Sequence, residues 1–240
     1  MKKMTKVLLV VLLALGLSTT AFAGASGLSI EQHADFDREI FTTTFTGWQA
    51  DSTGGWFFFL DIDSAAGYKL GHTFNYFEIN RDFSFGKLFG DEGLNPLNLH
   101  LEYNASTHLD TSYFLTGLKY EISGYPYIFT ISASAKLPKN SKGEEPDASW
   151  QATAVWSLNF ADGAFVFTGF VDVWNNTEIP GGKLAFISEP QVLVNLGKLG
   201  LGKAMESFWI GTEFEISKNF VWWDGDDIFV KPTVFIRYDF

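Results

Sequence analysis

From residue 27 to its last residue the chain alternates apolar and polar side chains in segments of about ten residues, separated by turn-rich pieces. This period of two limits the fold more than any other feature. Successive side chains of a strand point to opposite faces, whereas an amphipathic helix repeats every ~3.6 residues. Leu97, Leu99, Leu101, Tyr103 and Ala105 stand opposite Asn98, His100, Glu102 and Asn104. Trp150, Ala152, Ala154, Trp156, Leu158 and Phe160 oppose Gln151, Thr153, Ser157 and Asn159. Phe208, Ile210, Phe214 and Ile216 oppose Gly211, Glu213, Glu215 and Ser217. The spacing predicts an all-β chain with strands over 27–36, 39–50, 55–63, 70–82, 96–106, 112–121, 125–136, 148–160, 164–175, 183–197, 206–218 and 229–240, and no helix. Turn chemistry fills the gaps at Asp51-Ser52-Thr53-Gly54, Ser123-Gly124, Ala161-Asp162-Gly163 and Pro180-Gly181-Gly182, with a longer polar loop over 138–147.

What the apolar faces meet decides the class. A soluble sandwich or lipocalin-like barrel hides its apolar faces inside. Here those faces carry Trp, Phe and Leu strand after strand, and the chain holds 25 Phe, 8 Trp and 8 Tyr. Trp48, Trp56, Tyr125, Tyr127, Trp150, Trp222 and Trp223 crowd the strand ends, as interfacial girdles do. The charged residues share a face with small polar ones, as in a wet lumen. Residues 1–23 read as a secretory signal, with Lys2, Lys3 and Lys6 before an apolar run from Val7 to Leu17 and an Ala21-Phe22-Ala23 cleavage box. Beyond it no apolar run approaches the ~18 residues a membrane helix needs, so a membrane position requires a closed sheet. The last strand, 229–240, puts Val230, Val234, Ile236, Tyr238 and Phe240 on one face and Lys231, Thr233, Arg237 and Asp239 on the other. Residues 24–240 are therefore expected to form one closed antiparallel transmembrane β-barrel of about 12 strands in the bacterial outer membrane. Its terminal Phe240 looks like the signal read by the outer-membrane assembly machinery.

Charge and chemistry exclude several classes. Without the leader, 14 basic residues face 28 acidic ones, a balance of −14 that argues against nucleic acid. There is no Cys, and the four His are dispersed, so no zinc set exists. Asp224, Asp226 and Asp227 lack a full calcium-loop pattern, and no phosphate-cradling Gly loop occurs. A membrane hydrolase needs a nucleophile beside a base. His100 alternates onto the polar face beside Glu102 with no Ser poised next to it, and no Gly-x-Ser-x-Gly elbow is present. The chain is expected to be no enzyme and to use no cofactor or metal.

The polar face, taken as lumen, carries the acids Asp61, Asp63, Glu78, Glu102, Asp172, Glu189, Glu213, Glu215 and Asp239 and the bases Lys119, Lys136, Lys231 and Arg237. Phe57, Phe59, Tyr76, Phe170, Trp174 and Trp209 share that face, as does Gln191. Charges within a membrane-spanning element persist only where they face water or one another. Two readings follow: a self-neutralising network filling the barrel, or a pore whose paired charges set polarity while rings offer stacking surfaces. Two prolines strain the pattern. Pro190 falls inside a strand, where a bulge is expected, and Pro232 near the start of another. With both termini in the periplasm, 83–95 becomes an unusually long periplasmic turn.

Phe41-Thr42-Thr43-Thr44, Trp56-Phe57-Phe58-Phe59-Leu60-Asp61-Ile62-Asp63 and Tyr76-Phe77-Glu78-Ile79 resemble the early strands of the nucleoside-specific channel-forming porins, the Tsx-like family. Leu99-His100-Leu101-Glu102-Tyr103-Asn104, Phe167-Thr168-Gly169-Phe170-Val171-Asp172 and Phe186-Ile187-Ser188-Glu189-Pro190-Gln191 follow in the family's order. The ordered set covers the chain after the leader, and it looks closer to a separate branch of that superfamily than to its nucleoside-transporting members. The resemblance implies a narrow twelve-stranded outer-membrane barrel passing nucleosides by diffusion. Carried over by position, it implies that Phe57, Phe59, Asp61, Glu78, Glu102 and Glu189 line the pore. The inward alternation adds Asp63, Tyr76, Asp172, Trp174, Gln191, Glu213, Glu215 and Arg237 as pore-lining or solute-binding candidates. The expected function is passive diffusion of small polar solutes, nucleosides foremost. The alternative is a non-conducting structural or adhesive barrel plugged by its own side chains.

Overall fold

The computed structural model describes residues 26–240 except 68, 108–110, 141–146, 180–181 and 221–226. The signal segment 1–23 lies outside the described residues, as do His108, Pro180, Gly181, Trp222, Trp223, Asp224, Asp226 and most of the 138–147 loop. Thirteen strand segments form one sheet. They are β1 (Ser26–Asp35), β2 (Ile40–Ala50), β3 (Gly54–Ala65), β4 (Lys69–Ser84), β5 (Leu97–Ser106), β6 (Thr111–Gly124), β7 (Tyr127–Asn140), β8 (Ser149–Phe160), β9 (Phe165–Asn176), β10 (Lys183–Ser188), β11 (Gln191–Asn195), β12 (Phe208–Lys218) and β13 (Phe229–Asp239). β10 and β11 are two halves of one crossing, so the spans number twelve. Neighbours in sequence pair antiparallel, and β1 pairs with β13 from Ser29↔Asp239 to Asp35↔Thr233. That last pairing closes the sheet and leaves no edge.

The alternation becomes an inside and an outside. Polar residues of β1, Ser29, Glu31, His33 and Asp35, are buried. Phe41, Phe114, Leu118, Ile131, Trp150 and Ile236 project outward and are exposed. An exterior this apolar is stable only against lipid, and a closed barrel satisfies every backbone group without water. The protein is an outer-membrane β-barrel.

Several expectations need correction. The bulge expected at Pro190 is absent: β10 and β11 keep one register against β9 (Ile187↔Asp172, then Gln191↔Thr168) and against β12 (Phe186↔Lys218, then Gln191↔Glu213). The missing donor interrupts the ladder without inserting a residue. Glu189 N donates to Phe170 O at 3.1 Å, and Pro190 O accepts from Phe214 N at 3.1 Å. Gly169 makes this passage possible, because a Cβ there would lie 2.5 Å from Glu189 O and 2.8 Å from Pro190 Cα. β7 runs through Pro138 to Asn140, into the stretch read as loop, with Pro138 paired to Tyr113.

The 83–95 connection is shorter than expected at its start, since β4 continues to Ser84, and it contains a helix, Phe85–Phe89. Ser84 caps that helix by accepting from Lys87 N, and Gly90 closes it in the left-handed conformation. Five residues are too few for helical periodicity to show. Trp48 is no outward girdle residue: it pairs with Phe57 and Gly27, on the side of Thr42 and Thr44, and its indole lies over Gly27.

The rim beside the chain termini is latched by a residue the alternation hides. Arg81 has outward parity, paired with Trp56, yet is buried. Its guanidinium lies 5.0 Å from the Trp56 ring and 4.6 Å from the Phe83 ring, and Nη1 meets Asp51 Oδ2 at 2.8 Å in the β2–β3 turn. It also donates to Thr53 Oγ1, while Lys87 Nζ donates to the Asp51 carbonyl at 2.8 Å. The hydrogen bond from Arg81 holds the Asp51 carboxyl well below the usual carboxylate range. A depressed carboxyl stabilises the fold above its unfolded pKa and loses that contribution as pH falls through the folded value. Arg81→Met is therefore expected to lower unfolding stability by about 1 kcal/mol at neutral pH, the scale of a hydrogen bond to a charged group reduced by the solvent around Asp51. The difference from wild type should shrink below about pH 4. Urea unfolding in lipid vesicles at both pH values measures it, and a difference that is constant across pH would remove Asp51 from the latch.

Candidate functional site: the barrel interior

All fourteen residues singled out above fall on one side of the sheet. Phe57, Phe59, Asp61 and Asp63 belong to β3, Tyr76 and Glu78 to β4, and Glu102 to β5. Asp172 and Trp174 lie on β9, Gln191 on β11, Glu213 and Glu215 on β12 and Arg237 on β13. Glu189 sits in the break between β10 and β11. Cross-strand pairing unites them, as in Phe59↔Glu78, Asp61↔Tyr76, Gln191↔Glu213 and Glu31↔Arg237. The structure gathers all of them but Trp174 and Glu189 into three groups.

The first is a tight ionic seam where the barrel closes. Arg237 Nη1 reaches Glu31 Oε1 at 3.3 Å and its Nε meets Asp239 Oδ1 at 2.6 Å. Glu31 Oε2 lies 2.8 Å from His33 Nε2, and His33 Nδ1 lies 3.7 Å from Glu213 Oε1. Gln191 Nε2 donates to Glu213 Oε2 at 2.6 Å. Arg38, from the β1–β2 turn, bridges Glu215 Oε2 at 3.0 Å and pairs with Asp35. Phe235, an apolar intruder on the polar face, stacks on His33 with centroids 4.4 Å apart and covers Gly211, where a Cβ would lie 2.2 Å from the ring. Glu31, His33 and Asp35 are absent from the sequence-derived set because Gln32 interrupts the apolar face of β1. The signal was present in the period of Ser29, Glu31, His33 and Asp35.

The second group lies on β4 to β9. His100 Nδ1 meets Asp82 Oδ1 at 2.6 Å and its Nε2 meets Glu102 Oε2 at 3.0 Å, while Lys119 Nζ pairs with Asp82 Oδ2 at 2.5 Å. Glu78 accepts from Tyr76 OH at 3.2 Å and interacts electrostatically with Glu102, Asp172 and Lys136. Asp172 accepts from Thr153 Oγ1 at 2.5 Å. Asp82, His100 and Lys119 form a chain that no single-strand pattern reveals, since each contributes from a different strand.

The third group is the wall formed by β3 and β4. Phe57, Phe59 and Tyr76 make a continuous aromatic run, with centroids 6.1 Å apart between the first two and 5.4 Å between the last two. Asp61 and Asp63 flank it and accept from Thr44 Oγ1 at 2.5 Å and from Thr42 Oγ1 at 2.6 Å respectively. These side chains are half-buried, whereas Glu31, His33, Asp35 and Glu215 of the seam are buried. The interior is therefore more open in front of β3 and β4 than in front of β1. Among the described residues no three His, Asp or Glu side chains group as metal ligands. The interior offers hydrogen-bonding carboxylates and ring faces, with acids exceeding bases.

A comparison with curated proteins returns no match. Among solved structures, the NanC porin superposes with a TM-score of 0.55 at 10% identity, covering 89% of this chain and 98% of that one. The KdgM porin gives 0.49 at 7% identity, covering 90% and 99%. OccK5 (OpdH) of Pseudomonas aeruginosa gives 0.40 at 9%, covering 89% and 97%. The NanC likeness establishes a shared barrel fold, and the two lower scores add nothing to it. The family model described as "Domain of unknown function (DUF5020)" matches residues 26–240, the entire barrel, and the chain belongs to that family.

Proposed function

We propose that the protein is a passive outer-membrane channel for small polar solutes, and that nucleosides are the solute class its lining fits. The observation that carries this reading is the half-buried aromatic run Phe57–Phe59–Tyr76 beside Asp61 and Glu78. Ring faces in a row stack on a planar base, worth on the order of 1–3 kcal/mol per base. Adjacent carboxylates accept hydrogen bonds from sugar hydroxyls. The excess of acids over bases disfavours anions, so a neutral, flat, hydroxylated solute suits the wall. Transport is by diffusion, without energy coupling. The leader 1–23 would direct export, and the strand ending in Phe240 would be read by the assembly machinery.

A second reading draws on the seam. Its interlocked charges, from Arg237 through Glu31 and His33 to Glu213, resemble the filling of a plugged, non-conducting barrel. Conductance of the refolded residues 24–240 in a planar bilayer separates the two. Small steps blocked by adenosine or thymidine at sub-millimolar levels are the expected result. Steps indifferent to nucleosides would keep the channel and discard the solute class. No steps from a protein shown to be folded and inserted would leave the plugged barrel.

A further inference from the structure

The inward-facing base of β7 lies outside both ionic networks. Lys136, on β7, is buried, and its ammonium makes no ion pair among the described residues within 4 Å. Its Nζ lies 4.5 Å from the ring centroid of Tyr113 on β6 and 4.5 Å from that of Trp174 on β9. It donates to Gln151 Oε1 on β8 at 2.9 Å. Asp172, Glu102, Glu178 and Glu78 are the carboxylates that act on it electrostatically. Two ring faces, one amide oxygen and a shell of carboxylates make the environment that binds ammonium ligands, since a cation over a ring is held by the ring's quadrupole.

The walls of this box are fixed without the lysine. Trp174 packs on Ala185 and Ile187, with Phe170 against that cluster, and meets the edge of Phe220 at 5.9 Å. Tyr113 OH donates to Glu178 Oε1 at 2.6 Å. Gln151 Nε2 donates to Thr153 Oγ1 at 3.3 Å, and that hydroxyl donates to Asp172. Removing the lysine side chain would leave a formed site, not a collapsed one.

We infer that Lys136 is a specificity-determining residue of the lumen: a tethered cation that occupies an aromatic–carboxylate box and denies it to small organic cations. This rests on the channel reading for its biological meaning, though not for its binding chemistry. An acid-rich lumen left to itself would retain ammonium solutes, and a cation built into the wall removes their best binding point while lowering the local negative potential. Neutral solutes then pass without competition.

The test uses tetramethylammonium as probe. By isothermal titration on the folded barrel in detergent, Lys136→Ala should bind it at least about tenfold more tightly than wild type, the scale of a desolvated cation–ring contact. Lys136→Arg, which returns a cation to the box, should bind it no better than wild type. Lys136→Ala combined with Trp174→Leu should lose the gain. In bilayers, Lys136→Ala should be blocked by tetramethylammonium where wild type is not. A folded Lys136→Ala without increased binding overturns the inference, as does a gain that survives loss of Trp174. Tight calorimetric binding with no conductance in any variant would sustain the box and reject the channel reading instead.

Discussion

Neutralising Asp61 and Glu189 together, as Asp61→Asn with Glu189→Gln, is expected to shift the cation-to-anion permeability ratio toward anions by about tenfold. Neither carboxylate takes part in an ion pair among the described residues, in contrast to Glu31, Asp82 and Glu215. Asp61 accepts from Thr44 Oγ1 at 2.5 Å, and Glu189 sits on the inward side in the break between β10 and β11. Under the channel reading both face the space a solute would cross. At about 8 Å in a solvated bore each charge contributes roughly 0.5–1 kcal/mol to a passing ion, or about 2–6-fold. The amides preserve shape and the Thr44 contact, so the barrel should still fold. Reversal potentials under a salt gradient measure the ratio. An unchanged ratio in the folded double variant would exclude both residues from the permeation path. Glu31→Gln is the opposite case, because it removes one charged partner from each of Arg237 and His33 in a buried network and should act first on stability.

Gly169→Val is expected to stop the barrel from assembling. The position faces the Glu189–Pro190 break at backbone distance, with a Cβ 2.5 Å from Glu189 O, 2.8 Å from Pro190 Cα and 3.0 Å from the Trp156 ring. Two of these contacts are main chain, which cannot rotate away. Relief requires β9 to part from the β10–β11 crossing, breaking the Glu189 N to Phe170 O bond and, with it, closure of the sheet. Overpacking in a relaxed core costs about 1–3 kcal/mol, and a collision with backbone at an already interrupted ladder exceeds what side-chain adjustment absorbs. Gly124→Ala, where a Cβ meets nothing within 4 Å, is the control. The readout is the heat-modifiable band on gels after refolding. A Gly169→Val protein that migrates as folded would show that the Pro190 break is slack.

The sequence by itself determined the number of spans, their boundaries to within a few residues and the face most side chains take, because alternation is a local property of one strand in one environment. Phe57, Asp61, Glu102 and Trp174 could be assigned to a side without any knowledge of their neighbours. What it could not determine is who meets whom. His33 reaches Glu213 only because β1 closes on β13, and Lys136 reaches Trp174 only across Gln151 on the intervening strand. Those encounters depend on register and closure, which sum over the whole sheet. Local exceptions have the same origin. Pro190 keeps register because the residue opposite is Gly169, and Arg81, outward by parity, is buried because the next turn supplies Asp51. A strand's pattern records its two faces; the partners on each face belong to the tertiary structure, because they come from strands far away in the chain.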